Sequence, residues 1–313
     1  MDKAMLDPDI RRLLDTLFNL PAPTGPPDVE RLRAAAEAAP KALGGPAENV
    51  ASIRETTAPG RAGPVPVRIY RPTSSAPPPL MLYAHGGGWV TGSLNSHDKL
   101  CRILANRLGS VIVAVDYQLA PEHVYPAALD DVEAAWEWAS GNARALGADG
   151  MRFTVAGDSS GGNLVAALTL RLKRARAPQP DAQLLLYPAV DATCSRASYR
   201  EFSSGYNLTG DQMAWYWETY RAGADAVQPE LSPLSANDLA DLPPAVIAVA
   251  TADVLRDEAL DYARRLEAAH VPVRVVECTG MIHGFLRWTG EVAAARRCID
   301  VIATAMGELT ARR

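Results

Sequence analysis

The chain has 313 residues, of which 48% are hydrophobic and 21% are charged, an ordinary composition for a globular protein. A chain of this length buries about 75% of the surface that it exposes when unfolded, so its core needs no disulfide framework. The formal net charge of −5 provides no basic surface for a phosphate backbone or an anionic membrane, which argues against nucleic-acid and membrane partners.

The N-terminal part of the chain predicts two helices. Apolar side chains recur at spacings of three and four between Asp7 and Leu20, and a second helix is expected to begin near Asp28, after a proline-rich break. Residues 1–20 also carry several charges and lack the apolar run of a signal peptide, so we expect a soluble cytoplasmic protein.

The remainder of the chain predicts a mostly parallel sheet. Two segments, Asn49–Thr56 and Val65–Tyr70, alternate roughly between apolar and polar residues, which is typical of an antiparallel start. From Leu80 onward short apolar runs alternate with amphipathic stretches of helical length. Such an alternation favours an α/β fold whose central strands are buried on both faces. The runs are Leu80–Ala84, Val111–Val115, Phe153–Ala156, Leu184–Tyr187, Ala245–Ala250 and Val271–Val276; the helical patterns are His97–Leu108, Ala127–Leu146, Asn163–Arg174, Leu255–Ala269 and Glu291–Leu309.

Residues 190–243 form a longer interval than an ordinary crossover between strands. One helix is predicted there, over Asp211–Arg221, and it is rich in aromatic residues, Trp215 among them. An insertion of this kind can form a lid over a site. The alternative is that these aromatic side chains pack against the body of the protein.

A serine follows the third apolar run of the parallel region in a tight, glycine-rich setting. The segment Gly157-Asp-Ser-Ser-Gly-Gly-Asn163 contains Gly-x-Ser-x-Gly centred on Ser159. A strand-to-helix turn of this type holds a serine hydroxyl clear of the sheet, and the glycines remove side chains that would collide in the turn. The following helix N-terminus directs backbone N–H groups at developing negative charge. Alone the motif is a weak signal, because glycine-rich turns are common.

A second glycine-rich loop, His85-Gly-Gly-Gly-Trp89, follows the Leu80–Ala84 run. Three consecutive glycines are entropically costly to order, so a close approach of backbone to substrate is the reason that we infer. The N–H groups of Gly87 and Gly88, with that of Ser160, would then form an oxyanion hole. A plain flexible turn is the alternative.

A nucleophilic serine needs a base, and the chain offers five histidines. His283 lies just beyond the last apolar run, at the edge of the sheet where open α/β folds bind ligands. His85 belongs to the glycine loop, and His270 ends a helix, where it complements the helix dipole. We therefore select His283 as the base.

The histidine needs a carboxylate to orient it. Asp253 comes directly after the Ala245–Ala250 run, whereas Asp257 and Glu258 fall within the first turns of a helix, where the dipole favours acidic residues in any case. Asp253 is the preferred partner of the base, and Asp257 is interpreted as structural.

These motifs together resemble the hormone-sensitive-lipase-like family of α/β-hydrolases, the bacterial family IV carboxylesterases. The resemblance covers most of the chain from about residue 65 onward, and the joint spacing of its motifs is highly specific. It implies an α/β-hydrolase fold with helices on both faces of the sheet, a catalytic triad of Ser159, Asp253 and His283, and an oxyanion hole of Gly87, Gly88 and Ser160. It also implies a cap made of N-terminal helices in residues 1–45 and of an insertion near 190–220, over a catalytic domain in residues 46–313. The matching stretches are His85–Trp89, Ser96–Asp98, Val115–Glu122, Tyr125–Ala128, Gly157–Asn163, Asp253–Glu258 and His283–Phe285.

Three residues depart from the family pattern. Ser160 stands where the family usually has alanine, Val254 replaces a proline after the triad aspartate, and Gln118 replaces a common arginine. The Ser160 donor is a backbone N–H group, Val254 makes the loop that orients Asp253 less rigid, and Gln118 removes one potential ion pair. None removes a group that the mechanism requires.

The resulting expectation is a serine carboxylesterase that acts on short to medium acyl esters and needs no metal or organic cofactor. Trp89 and Trp215 are candidate substrate-binding residues. Two other functions remain open: a small-molecule receptor on the same fold, such as the gibberellin receptors, which lack the triad histidine, and an amidase or peptidase with the same triad. The natural ester and the oligomeric state, a homodimer included, are not determined by the sequence.

Overall fold

A computed structural model describes residues 5–17 and 27–311 of the chain. Its strands are β1 (Ser52–Pro59), β2 (Pro64–Arg71), β3 (Leu80–Ala84), β4 (Val111–Val115), β5 (Phe153–Asp158), β6 (Ala182–Leu186), β7 (Ala245–Ala252) and β8 (Val273–Ile282). Its helices are α1 (Pro8–Thr16), α2 (Val29–Leu43), α3 (Asp98–Leu108), α4 (Ala127–Gly141), α5 (Ser160–Ala175), α6 (Ala197–Glu201), α7 (Gly210–Arg221), α8 (Arg256–Ala268) and α9 (Ala293–Thr310). None of the helices in the described ranges is long and apolar enough to cross a membrane.

The strands form one eight-stranded sheet in the order β1-β2-β4-β3-β5-β6-β7-β8. β1 pairs with β2, and β2 with β4, in antiparallel orientation, whereas every later pair is parallel. The predicted antiparallel start and parallel centre are therefore confirmed. Because the carboxyl ends of parallel strands meet at one edge, the loops after β3, β5, β7 and β8 converge there.

The sheet is covered by helices on both faces. Every residue of β3, β4 and β6 is buried, which explains why these strands read as unbroken apolar runs. The pair α3 and α9 packs over the sheet, as does the pair α4 and α5. The first part of α5, from Ser160 to Leu172, is buried throughout, so this helix lies in the centre of the molecule.

Most differences from the predicted elements lie at their ends. The helix predicted over Ala127–Leu146 ends at Gly141, since a glycine is a poor helix former and turns follow it. The last strand extends to Ile282, so His283 directly follows it. The first helix ends at Thr16, and residues 18–20 of its predicted span lie outside the described residues.

The long interval between β6 and β7 holds more structure than the single predicted helix. It contains α6 and α7 and a 3₁₀ turn at Pro233–Ser235. α7 begins with a capping box in which Thr209 and Gln212 satisfy each other's backbone N–H groups. This local signal fixes the start of the aromatic helix.

Candidate active site

Ser159 lies at the junction of β5 and α5 with a φ of +56°, a conformation that is uncommon for a residue with a side chain. The glycines around it permit the tight turn. A Cβ on Gly157 would lie 2.3 Å from the carbonyl oxygen of Gly161, and one on Gly161 would lie 2.1 Å from that of Ala84. The turn therefore requires glycine at both positions, and it raises the serine hydroxyl above the sheet.

Three side chains from three different loops form one hydrogen-bonded chain. The Ser159 Oγ lies 2.8 Å from the His283 Nε2, and the His283 Nδ1 lies 2.7 Å from the Asp253 Oδ2. The second carboxylate oxygen of Asp253 accepts the N–H of Leu255 at 3.0 Å. With its Nδ1 proton donated to Asp253, the imidazole presents Nε2 as the acceptor for the serine proton.

The structure brings Asp253 to His283 and keeps Asp257 away from it. Asp257 instead accepts the backbone N–H of Ser198 at 2.8 Å and the Arg256 Nε at 2.8 Å. Its carboxylate therefore joins α8 to α6. The choice between the two aspartates, made from their places relative to β7, agrees with this geometry.

The glycine loop after β3 presents two unused backbone donors. Gly87 and Gly88 have φ values of +136° and +62°, which favour glycine. In the part of the chain that the structure describes, the N–H groups of Gly87, Gly88 and Ser160 have no recorded acceptor. A Cβ on Gly88 would lie 2.3 Å from the ring of Tyr216, so this α7 side chain covers the loop.

Trp89 ties the glycine loop to α7. Its indole is fully buried and stacks on Tyr220 with ring centroids 4.5 Å apart and planes 2° apart. Trp217 packs against it at 4.2 Å. A ring enclosed in this way presents no surface to a substrate, in contrast to the expected substrate-binding role of Trp89. The half-buried Trp215 packs on Tyr216, with centroids 5.1 Å apart.

Asp158 holds the glycine loop in place, a role that the sequence analysis missed. Its Oδ1 accepts the Gly86 N–H at 2.8 Å and the Tyr83 hydroxyl at 2.6 Å, and the His97 Nε2 lies 3.3 Å away. Burial alone would raise the pKa of Asp158, but His97, Arg287 and Tyr83 together hold that pKa well below its usual range. The position of Asp158, directly before Ser159, was the only sequence signal of this link.

His85 supports the same loop and does not contact Ser159. Its ring stacks between Tyr117 at 4.3 Å and His97 at 5.3 Å, and its Nδ1 lies 2.9 Å from the Gly86 carbonyl oxygen. Burial, together with the nearby His97, lowers the pKa of His85 to about 3. The imidazole is therefore neutral at physiological pH.

The departures from the family pattern have structural substitutes. The Gln118 Nε2 lies 3.1 Å from the His123 Nδ1, and the neighbouring Glu122 accepts hydrogen bonds on both carboxylate oxygens from Arg33 of α2, at 2.8 and 2.7 Å. The carbonyl oxygen of Val254 accepts the Ser198 hydroxyl at 2.6 Å. The loop that carries Asp253 is thus fixed by a hydrogen bond in place of a proline.

Metal-binding side chains are not clustered in the described ranges: no group of three or more His, Cys, Asp or Glu residues there is arranged to hold an ion. A buried serine–histidine–aspartate chain beside three free amides is suited to attack on a carbonyl group and to stabilising the oxyanion that results.

Comparisons with known proteins identify the family of the chain. The profile of the family described as alpha/beta hydrolase fold matches residues 81–287. The carboxylic ester hydrolase LipN of Mycobacterium tuberculosis is 39% identical, over 91% of this chain and 78% of its own length. The esterase LipI of the same organism is 37% identical, over 94% of this chain and 92% of its own.

Solved structures of esterases share the fold of this chain. An esterase from Pyrobaculum calidifontis superposes with a TM-score of 0.88 at 37% identity, covering 98% of this chain and 99% of its own. A thermostable esterase from Pseudomonas putida superposes with a TM-score of 0.89 at 33% identity, covering 98% of this chain and 97% of its own. The chain therefore belongs to the α/β-hydrolase family, among the hormone-sensitive-lipase-like carboxylesterases that its motifs resemble.

Proposed function

We propose that this protein hydrolyses carboxylic esters of small substrates through an acyl-enzyme formed on Ser159. The observation that carries the proposal is the continuous hydrogen-bonded chain from the Ser159 Oγ through His283 to Asp253. The ester hydrolases and esterases among its relatives support the same reaction.

In the acylation step the Ser159 Oγ attacks the ester carbonyl carbon while its proton passes to the His283 Nε2. The negative charge on the carbonyl oxygen is stabilised by the N–H groups of Gly87, Gly88 and Ser160. Asp253 stabilises the imidazolium that forms. The carbon–oxygen bond to the alcohol then breaks, and His283 returns the proton to the departing alcohol.

Deacylation repeats the same steps with water as the nucleophile. His283 takes a proton from the water as it attacks the acyl carbon, and the proton then returns to the Ser159 Oγ when the acid leaves. The same amides stabilise the second oxyanion. No redox partner or metal is needed for the balance of atoms and charge.

A receptor function is the second candidate, and the site favours catalysis over it. A binding module has no need of an imidazole between a serine and a carboxylate, and His283 makes both contacts here. Hydrolysis of amides by the same residues remains a variant of the proposed reaction. The named relatives favour esters.

We further propose that α1 and α2, with α6 and α7, form a cap over the site. Two contacts of α2 support this: Arg33 donates to the Val90 carbonyl oxygen at 2.9 Å, and Glu37 accepts the Ser93 hydroxyl. Tyr216 of α7 covers Gly88. α2 thus contacts the segment that directly follows the glycine loop, and α7 covers the loop itself.

Replacement of Ser159 by alanine tests the reaction. Ser159→Ala should lower kcat on p-nitrophenyl butyrate by roughly 10⁶-fold, because the members of such a triad act as a unit. A fluorophosphonate probe should label the wild type and not the variant. Circular dichroism confirms that the variant is folded.

The neighbouring serine provides a matched control. The Ser160 hydroxyl is buried and has no hydrogen-bond partner in the described chain, and only its backbone N–H enters the mechanism. Ser160→Ala should therefore keep both activity and labelling. Labelling that persists in Ser159→Ala would contradict the proposed nucleophile.

A further inference from the structure

Arg287 is a half-buried cation whose charge acts on the buried carboxylate of Asp158 without a direct contact. In the described chain its guanidinium forms no recorded hydrogen bond or ion pair, and its Nε is buried without an acceptor. Outside the described ranges only Asp2 is acidic. Arg171 shows the ordinary arrangement, since it pairs with Asp130 at 2.6 Å and with Glu230 at 2.8 Å.

Arg287 lies beside the proposed catalytic histidine. It ends the 3₁₀ turn Phe285–Arg287 that follows His283. A Cβ built on Gly284 would lie 3.4 Å from the Arg287 Nη2, so the guanidinium has folded back toward the start of the loop.

The charge of Arg287 also acts on the opposite side of the site. Burial raises the pKa of Tyr216, and Arg287 opposes that rise. The ring of Tyr216 is the one that covers Gly88. The charge of Arg287 therefore acts both at the histidine loop, of which it is part, and at the α7 side chain that covers the glycine loop.

An arginine in this position requires an acceptor. A guanidinium cannot release its proton in a protein, and it carries five N–H donors in a planar fork. Buried donors without acceptors are rare in folded proteins, and each destabilises the state in which it occurs. A carboxylate matches the fork with two parallel hydrogen bonds. The described chain places none within hydrogen-bond distance, so the fork is available to a carboxylate of a bound ligand.

We propose that Arg287 binds a carboxylate carried by the ester substrate itself, so that the preferred substrates are esters that keep one free acid group. The proposal rests on the proposed esterase function and names the substrate class of that site. Monoesters of dicarboxylic acids and acyl esters of hydroxy acids both have this chemistry. They differ in whether the carboxylate lies on the acyl side or on the alcohol side.

Two pairs of esters of matched length test the proposal. On the acyl side, monoethyl glutarate is compared with ethyl pentanoate; on the alcohol side, 3-acetoxypropanoate is compared with propyl acetate. Hydrolysis is followed by titration of the released acid. The wild type should prefer the charged ester in at least one pair, although its net charge of −5 disfavours the approach of anions. Equal rates within both pairs, or a preference for both neutral esters, would overturn the proposal without any variant.

Arg287→Met then assigns the preference to this side chain. The variant should lose roughly 10- to 100-fold in kcat/KM on the preferred charged ester, the range of a charged hydrogen-bonded contact. The loss should come mainly from a higher KM, because the contact with the remote carboxylate stabilises the bound ground state and the transition state equally. Arg287→Lys should recover part of it, because lysine restores the charge without the fork. On the neutral ester the change should stay below about threefold.

The neutral esters separate the two proposals. Ser159→Ala should abolish turnover of all four esters, and turnover that persists would contradict Ser159 as the nucleophile. No turnover of any of the four esters by the wild type would contradict the esterase function itself. An equal fall of kcat on charged and neutral esters in Arg287→Met would mean that Arg287 supports the reaction centre, through Asp158 for example, and would overturn the substrate proposal. Fluorophosphonate labelling of each Arg287 variant at the wild-type rate shows that the site is intact.

Discussion

Asp253 and Asp257 have the same side chain and different surroundings. Asp253 is almost fully buried, and its two oxygens are used by His283 and by the N–H of Leu255. Asp257 is hydrogen-bonded to the backbone of Ser198 and forms an ion pair with its neighbour Arg256. The difference arises because Asp253 directly follows β7, whereas Asp257 is already part of α8.

The two aspartates should therefore respond differently to the same change. Asp253→Asn should lower kcat by on the order of 10⁴, because an amide opposite His283 stabilises the wrong tautomer of the imidazole. Asp257→Asn should change kcat by less than about threefold and lower the free energy of unfolding by about 1 kcal/mol through weakened contacts with α6. Steady-state kinetics and urea denaturation of both variants measure the two effects. The reverse pattern would identify Asp257 as the acid of the triad.

The start of α8 also determines the path of the chain after β6. Glu258 is fully buried, and its Oε1 accepts the N–H groups of Val190 at 2.7 Å and of Asp191 at 3.3 Å. The sequence suggested only that the helix dipole favours an acid at this position. The contact with the chain after β6 was not visible, because the two segments are far apart in sequence and meet only in the folded sheet.

Glu258 makes stability depend on pH in a direction that can be tested. Burial raises the pKa of Glu258 well above its ordinary value, so the folded chain keeps a proton that the unfolded chain loses above about pH 4.3. The contribution of Glu258 to the free energy of unfolding is therefore fully present at low pH, and it is lost as the pH rises through the pKa of the folded state. Glu258→Gln removes that loss. From about pH 5 up to the pKa of Glu258 in the folded state, the free energy of unfolding of this variant should rise relative to that of the wild type by up to about 1.4 kcal/mol per pH unit.

Urea denaturation at several pH values measures this difference. Glu258→Ala is the control, because it removes both the acceptor for Val190 and the side-chain volume, and it should be less stable than the wild type at every pH. Stability curves of Glu258→Gln and wild type that run parallel with pH would show that Glu258 is ionised in the folded protein.

The predictable parts of the site are those with local signals. Buried parallel strands produce apolar runs, and tight turns require glycine, so the strands and the turns around Ser159 and Gly87 could be located from the sequence. The roles of Trp89 and Tyr216 could not, because both depend on where α7 packs after a long insertion. The lack of a hydrogen-bonded partner for Arg287 in the described chain could not be predicted either, because it depends on how the folded chain packs.

At the scale of the whole molecule, two helices of the proposed cap, α2 and α7, contact the chain in and next to the glycine loop. Arg33 connects α2 to the Val90 and Ala120 carbonyl oxygens, and Trp89 stacks on Tyr220 of α7. In the proposed cap, α7 is therefore attached to the loop that supplies the proposed oxyanion donors, and α2 to the segment after it. We expect a cap attached in this way to enclose the substrate in a space of limited size, in contrast to a lid that opens at a lipid surface.

A closed space of this kind predicts a limit on acyl length. Each buried methylene contributes about 0.8 kcal/mol of binding, which is roughly fourfold in affinity, until the space is filled. On p-nitrophenyl esters from acetate to palmitate, kcat/KM should rise, reach its maximum at roughly four to eight carbons as the family resemblance implies, and then fall, because a further methylene has no apolar surface left to contact. Emulsified long-chain triglyceride should be a poor substrate. A rate that continues to rise to palmitate, with a sharp increase once the substrate forms an interface, would mean that the cap moves and that the enzyme acts as a lipase.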